Sequence, residues 1–158
     1  MTTTEIAEHE LIGLRELLDR SQLERLVSGL GRWLDTGGAG DPAELLADDV
    51  AVSTLGGRAE GIDAVAAQAR RTHGDHATQH AITNLLIELD GDRARIGANL
   101  IVTFAPPLEE SARSAGPAGV PAPESALGER YAFDAVRTPA GWRLSRIEIA
   151  PLWRLAAA

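Results

Sequence analysis

The chain has 158 residues, one domain's length, and a domain of that size buries about 68–70% of its unfolded surface, enough for a core without covalent staples. Hydrophobic residues make up 44% and charged residues 24%, as in ordinary globular proteins. The absence of cysteine excludes disulfides, thiol nucleophiles and thiolate metal sites. The net charge is −8 and every basic residue is arginine, a balance that repels nucleic-acid phosphates and anionic membranes. Without lysine there is no Schiff-base chemistry and no phosphate-binding Walker lysine.

In chain order, residues 4–18 read as a short amphipathic helix, with Leu11, Leu14, Leu17 and Leu18 on one face. Asp19-Arg20 interrupts it, and Ser21-Gln22-Leu23-Glu24 has the form of a capping box that starts a new helix. That helix carries Leu23, Leu26, Val27, Leu30, Trp33 and Leu34 as one apolar stripe. Gly29 and Gly31 weaken it by about 1 kcal/mol each relative to alanine, and would let it approach a sheet closely. It stops at Thr36-Gly37-Gly38. Asp41-Pro42-Ala43-Glu44 opens a short helix ending near Asp48. Residues 49–55 read as a strand, Gly56-Gly57 as a turn and residues 61–72 as a third helix.

The second half reads as sheet. Residues 77–89 and 93–104 form a hairpin around Asp90-Gly91-Asp92, and residues 127–138 and 142–155 form another around Pro139-Ala140-Gly141. Between them, residues 105–126 are rich in Pro, Ala, Gly and Ser and have no periodicity. Two readings stand for this stretch: a loose insertion, or a lid over a pocket. Helices followed by an antiparallel meander give an α+β domain, with residues 1–18 as an N-terminal extension to a single domain over 19–158. No secretory signal or apolar span of about 20 residues is present, so a cytoplasmic location is expected.

Five stretches resemble the SnoaL-like branch of the nuclear transport factor 2-like superfamily: LLDRSQLERLVSGLGRWLD, GDPAELLADDV, GIDAV, ATQHAITNLLIELDGDRARI and GERYAFDAVRTPAGWRL. Their order and spacing imply a cone-shaped barrel, with N-terminal helices packed on a strongly curved, mostly antiparallel sheet that encloses a pocket. Members of this superfamily include dehydratases, dehydrochlorinases, isomerases, epoxide hydrolases, polyketide cyclases and binding-only proteins, and many are homodimers. Fold alone therefore does not give function.

The resemblance aligns Asp35 and His80 with the Asp–His pair of scytalone dehydratase, bile-acid 7α-dehydratase and hexachlorocyclohexane dehydrochlorinase. It implies His80 as a general base and Asp35 as the carboxylate that orients it. The chemistry is sound: elimination needs a base with a pKa near neutrality, and a carboxylate fixes the imidazole tautomer. A second reading makes Asp35 a helix-end residue and His80 a satisfied core histidine. Tyr131, the single tyrosine, is taken first as a catalytic donor or polar anchor, ahead of Asn84, Asp134 and Arg130. The expected pocket wall is Leu30, Trp33, Val52, Thr54, Ile82, Asn84, Leu86, Val102 and Phe104. The chain departs from the scytalone dehydratase pattern at Leu34 and near Thr54, where tyrosines stand in that enzyme, and near Phe104, where it has a second histidine.

His73, His76 and His80, with Asp75, have a spacing that raises a metal site but does not match helical ligand pairs. No cofactor is expected. The reading is a cofactor-independent lyase, isomerase or cyclase for a hydrophobic small molecule, of a kind met in natural-product biosynthesis. Its alternatives are a non-catalytic binding or assembly module of the same fold, or an epoxide hydrolase.

Overall fold

Alternating apolar and polar residues over the second half of the chain require a sheet with one covered face, and the first half supplies the cover. The computed structural model describes residues 3–107 and 120–156. Its elements are α1 (Thr3–Asp35), a 3-10 turn (Pro42–Glu44), β1 (Leu46–Thr54), β2 (Gly57–Glu60), α2 (Ile62–His73), β3 (Ala77–Asp90), β4 (Arg93–Ala105), β5 (Ser125–Thr138) and β6 (Gly141–Ala156). The six strands run in the order β2-β1-β6-β5-β4-β3. All neighbours are antiparallel except β1 and β6, which are parallel. The sheet is mixed, bent by register shifts and not closed, with β2 and β3 as its free edges.

The apolar stripe of α1 packs as its spacing predicts. Leu23, Leu26, Val27, Leu30, Trp33 and Leu34 are all buried, each burial favouring the fold by about 1.5–3 kcal/mol before entropy is counted. They meet alternate residues of β4 (Ile96, Leu100, Val102), β5 (Tyr131, Phe133) and β6 (Trp142, Leu144) in one core. Gly31 sits where α1 crosses β3. A Cβ there would lie 3.2 Å from Ile82 Cδ1 and 3.5 Å from the Cβ of His80, so the missing side chain sets the depth of the helix on the strand.

Several local expectations are corrected by tertiary contacts. Helix α1 runs unbroken through Asp19-Arg20, and Ser21 is inside it. Asp19 is turned into the protein, where Trp142 Nε1 donates to Oδ1 at 3.1 Å and Arg137 Nη2 to Oδ2 at 2.5 Å. Arg137 also donates to Asp92 at 2.9 Å and lies 4.4 Å over the Trp142 ring. A carboxylate satisfied in this way has no reason to end the helix, and the local capping signal loses to it. The turn after Asp41 is a single 3-10 turn rather than a helix to Asp48, because β1 already begins at Leu46. The turn expected at Gly56-Gly57 runs into a strand, β2, which is four residues long and pairs with β1 alone. Residues 105–126 are shorter of loop than expected, since β4 reaches Ala105 and β5 starts at Ser125. The centre of that stretch, 108–119, lies outside the described residues.

The most consequential correction is in β3. One extra residue lies between Thr83 and Leu86 opposite β4, and Asn84 takes a left-handed φ of 55°. This bulge reverses the phase of the strand. His80 and Ile82 face inward before it, and Leu85, Ile87 and Leu89 after it. Asn84 and Leu86, both expected on the pocket wall, are exposed.

Two outcomes follow. Asp19→Ala leaves Arg137 and the Trp142 indole without their acceptor and should cost about 2–3 kcal/mol in urea unfolding. The arginine holds the Asp19 carboxyl below its ordinary value, so this contribution is full above about pH 4 and is lost as pH falls further; wild type and variant should converge in acid. Gly31→Val should lift α1 from β3 and destabilise by about 1–3 kcal/mol. A variant as stable as wild type would show that the close approach is unimportant.

Candidate functional site

The helix end and the strand edge meet at Asp35 and His80. The Asp35 carboxylate accepts from the His80 backbone N–H (3.0 Å), from Thr78 Oγ1 (3.2 Å) and from His80 Nδ1 (2.6 Å). The backbone donor is free because β3 is an edge strand. The hydrogen bond to a carboxylate assigns the imidazole proton to Nδ1 and leaves Nε2 as a lone pair. The His80 side chain is 1% exposed and that of Asp35 27%. His80 lines an apolar cavity of about 220 Å³, with Asp35 behind it rather than in the wall. Burial pushes the imidazole below its ordinary pKa, while Asp35 pulls it back up. The result is a neutral, oriented imidazole with an unprotonated nitrogen.

Among the expected wall residues, Leu30, Trp33, Val52, Thr54, Val102, Phe104 and Tyr131 line this cavity. Ile82, Asn84 and Leu86 do not: Ile82 packs under Gly31, and the bulge turns the other two outward. Arg130 is exposed on the opposite face of β5, and Asp134 faces Arg146 at 3.8 Å there. Neither is a donor to the cavity. Leu55 and Pro151 are exposed lining residues and mark its mouth.

Three polar groups of the cavity were not singled out from sequence as pocket groups. His73, at the end of α2, has its ring centre 5.0 Å from that of His80 and stacks on Phe104 at 6.0 Å. Its Nδ1 bonds the Ala69 carbonyl at 3.0 Å, and burial holds its pKa below the usual value. The signal was present: Val65, Ala66 and Ala69 are the buried face of α2, and four residues on from Ala69 is His73. Where the scytalone dehydratase pattern led to an expected loss of a second histidine near Phe104, a histidine from another element lies against that phenylalanine. Glu129 shares a face of β5 with Tyr131, two residues on, whose hydroxyl opposes the rise in its pKa. Burial raises the pKa of both groups. Gln68 completes the set; its Nε2 lies 3.4 Å from Thr54 Oγ1.

The buried Trp33 Nε1 and Gln68 Oε1 have no protein partner among the described residues. Such atoms are costly unless something bound meets them. His73, His76 and His80 do not form a ligand set. Phe104 contacts the rings of both His73 and His76, and among the described residues no group of His, Asp and Glu is arranged to hold a metal. No helix is long and apolar enough to cross a membrane among these residues.

A curved mixed sheet, covered by two helices and holding an imidazole–carboxylate pair on an apolar cavity, defines a cone fold of the nuclear transport factor 2-like type. The chain belongs to the SnoaL-like domain family, whose family model matches residues 15–148. Among solved structures it is similar to a nuclear transport factor 2-like protein with a cystatin-like fold from Novosphingobium aromaticivorans. That match has 27% identity, covers 96% of this chain and 90% of that one, and has a TM-score of 0.67. A protein assigned as a scytalone dehydratase from the same organism has 19% identity, 90% coverage of each chain and a TM-score of 0.70. A type 2 hexachlorocyclohexane dehydrochlorinase has 16% identity, covers 92% of this chain and 93% of its own, and has a TM-score of 0.72. At those two identities the likeness is one of fold. Comparison with curated protein sequences finds no match.

The pairing makes a sharp expectation for titration. The His80 imidazole should titrate below 6.5 by NMR, and lower still in Asp35→Asn, which removes both the charge and the strongest acceptor that hold it up. A His80 titration indifferent to Asp35 would show that the two are not coupled.

Proposed function

We propose that this chain is a lyase-type enzyme, a dehydratase-like lyase, isomerase or cyclase, acting on a hydrophobic small molecule with His80 as general base and Asp35 as its orienting carboxylate. The observation that carries this reading is the 2.6 Å bond from His80 Nδ1 to Asp35, which leaves Nε2 unprotonated at the wall of an apolar cavity. A base so placed takes a proton from carbon, and the carboxylate behind it stabilises the imidazolium that forms. Low local dielectric strengthens that stabilisation. Family neighbours include a dehydrochlorinase and a protein assigned as a dehydratase, both names for elimination chemistry. Among the described residues the wall carries no arginine, so an Asp/Arg pair for epoxide hydrolysis has no support there.

The family resemblance also supports a homodimer as the working form. The N-terminal half of α1 presents Leu11, Ile12, Leu14, Leu17 and Leu18 to solvent, and light scattering measures the oligomer directly.

The test is turnover of a panel of elimination and cyclisation substrates by wild type and His80→Ala. Removing the base should cost about 10²–10⁴-fold in rate, with ligand affinity changed far less. Turnover that survives the substitution sinks the assignment. Ligand binding by both proteins, with turnover by neither, identifies a binding module of the same fold.

A further inference from the structure

Hydroxide is a poor leaving group. An elimination that expels it needs a proton delivered to oxygen as well as one taken from carbon. The imidazole–carboxylate pair supplies only the second. Among the described residues, the cavity holds one carboxyl group outside that pair, Glu129.

Its position follows from the register of the sheet. His80 pairs with Val102 on β4, and Val102 with Leu127 on β5. Glu129 is two residues beyond Leu127 on the same face of the strand. The backbone offset from His80 is therefore two strand spacings, about 9.6 Å, and two residues, about 7 Å. Both residues line the cavity, which at about 220 Å³ has room for a ring-sized molecule. The cross-strand neighbours of Glu129 are Leu100 and Pro151, neither of which carries charge. The Tyr131 hydroxyl, itself buried, belongs to the residue two further on along the same face of β5 and favours the charged form of the carboxylate.

We propose that Glu129, steadied by Tyr131, is the proton donor that faces His80 across the cavity, and that the substrate is a hydroxylated, apolar, ring-sized molecule from which water is eliminated. This rests on the reading of His80 as the base. In the step, His80 Nε2 takes the proton from carbon, and the C–H electron pair becomes the new C=C bond. The C–O bond breaks with its electrons on oxygen, and the Glu129 carboxyl protonates that oxygen to give water. His80 is left as imidazolium and Glu129 as carboxylate, and solvent exchange returns the proton from one to the other. Burial raises the Glu129 carboxyl above its ordinary value against the opposing effect of Tyr131, which favours the acid form the step needs. Tyr131 is a positioning residue in this scheme, because burial raises the pKa of its hydroxyl and makes it a weaker acid than the Glu129 carboxyl.

The probes are two small apolar substrates of base-catalysed elimination, 5-nitro-1,2-benzisoxazole and unsubstituted 1,2-benzisoxazole. Both lose a carbon-bound proton and expel a phenolate, but the unsubstituted compound expels a much more basic oxygen and gains more from a proton donor. Wild type should eliminate both above buffer, and His80→Gln should lose both by 100-fold or more. Glu129→Gln should change the ratio of the two rates by at least tenfold, against the unsubstituted probe. In parallel, ¹³C-carboxyl NMR should show Glu129 titrating above the ordinary glutamate value, and higher again in Tyr131→Phe. If Glu129→Gln slows both probes equally, or Glu129 titrates at or below the ordinary value, the donor role is overturned while the base stands. If wild type is no faster than His80→Gln on the nitro probe, the base assignment falls and the donor role with it.

Discussion

A carboxylate at the C-terminal end of a helix is in the wrong place electrostatically, because the helix presents its own partial negative charge there. Asp35 is the last residue of a 33-residue helix and has to be satisfied by something else. Three donors from β3 do so: the Thr78 hydroxyl, the His80 backbone and the His80 ring. The same contact covers part of the edge of β3, whose free N–H groups would otherwise be open to pairing with another strand. One interaction thus fixes the end of α1, protects the sheet edge and sets the tautomer of the imidazole. The close approach at Gly31 makes it geometrically possible.

The apolar cavity then determines the state of every titratable group on it. Burial lowers the pKa of His80 and His73 and raises that of Glu129 and Tyr131. All four shifts favour the uncharged form, as expected where little water solvates a charge. The charged member of the main pair, Asp35, is the one that keeps some contact with solvent. Uncharged bases and acids on one cavity suit proton transfer in both directions.

Midway along α1, Asp19 plays a structural part. Its bonds to Arg137 and Trp142 tie the middle of the helix to the last hairpin, far along the chain from Asp35. The helix is therefore pinned at two points, and its register on the sheet is not free to slide. His73 and Glu129 show how polar groups return to the same cavity from other elements.

The α+β class, the stripe of α1 and both hairpins were legible in the sequence through periodicity and short local patterns, since each element obeys its own period. The Asp35–His80 pairing was legible only through the resemblance to the SnoaL-like family. Local signals were least informative where a distant residue intervened. The capping box at Ser21 was overruled by Arg137 and Trp142, more than a hundred residues away. Strand β2 was invisible because four residues carry no period. Most tellingly, a single inserted residue at Asn84 moved half of β3 to the other face. A period of two has no memory of a bulge, so the inward set could not be read past it. Glu129 and His73 likewise joined the cavity only through sheet curvature and helix placement, which bring together residues that sequence spacing keeps apart. The sequence by itself determined the class of fold and its main helix and hairpins, and its family resemblance pointed to the Asp35–His80 pair. Tertiary structure decided which side chains share the cavity with them, because that depends on the phase, bend and close approach of elements distant in the chain.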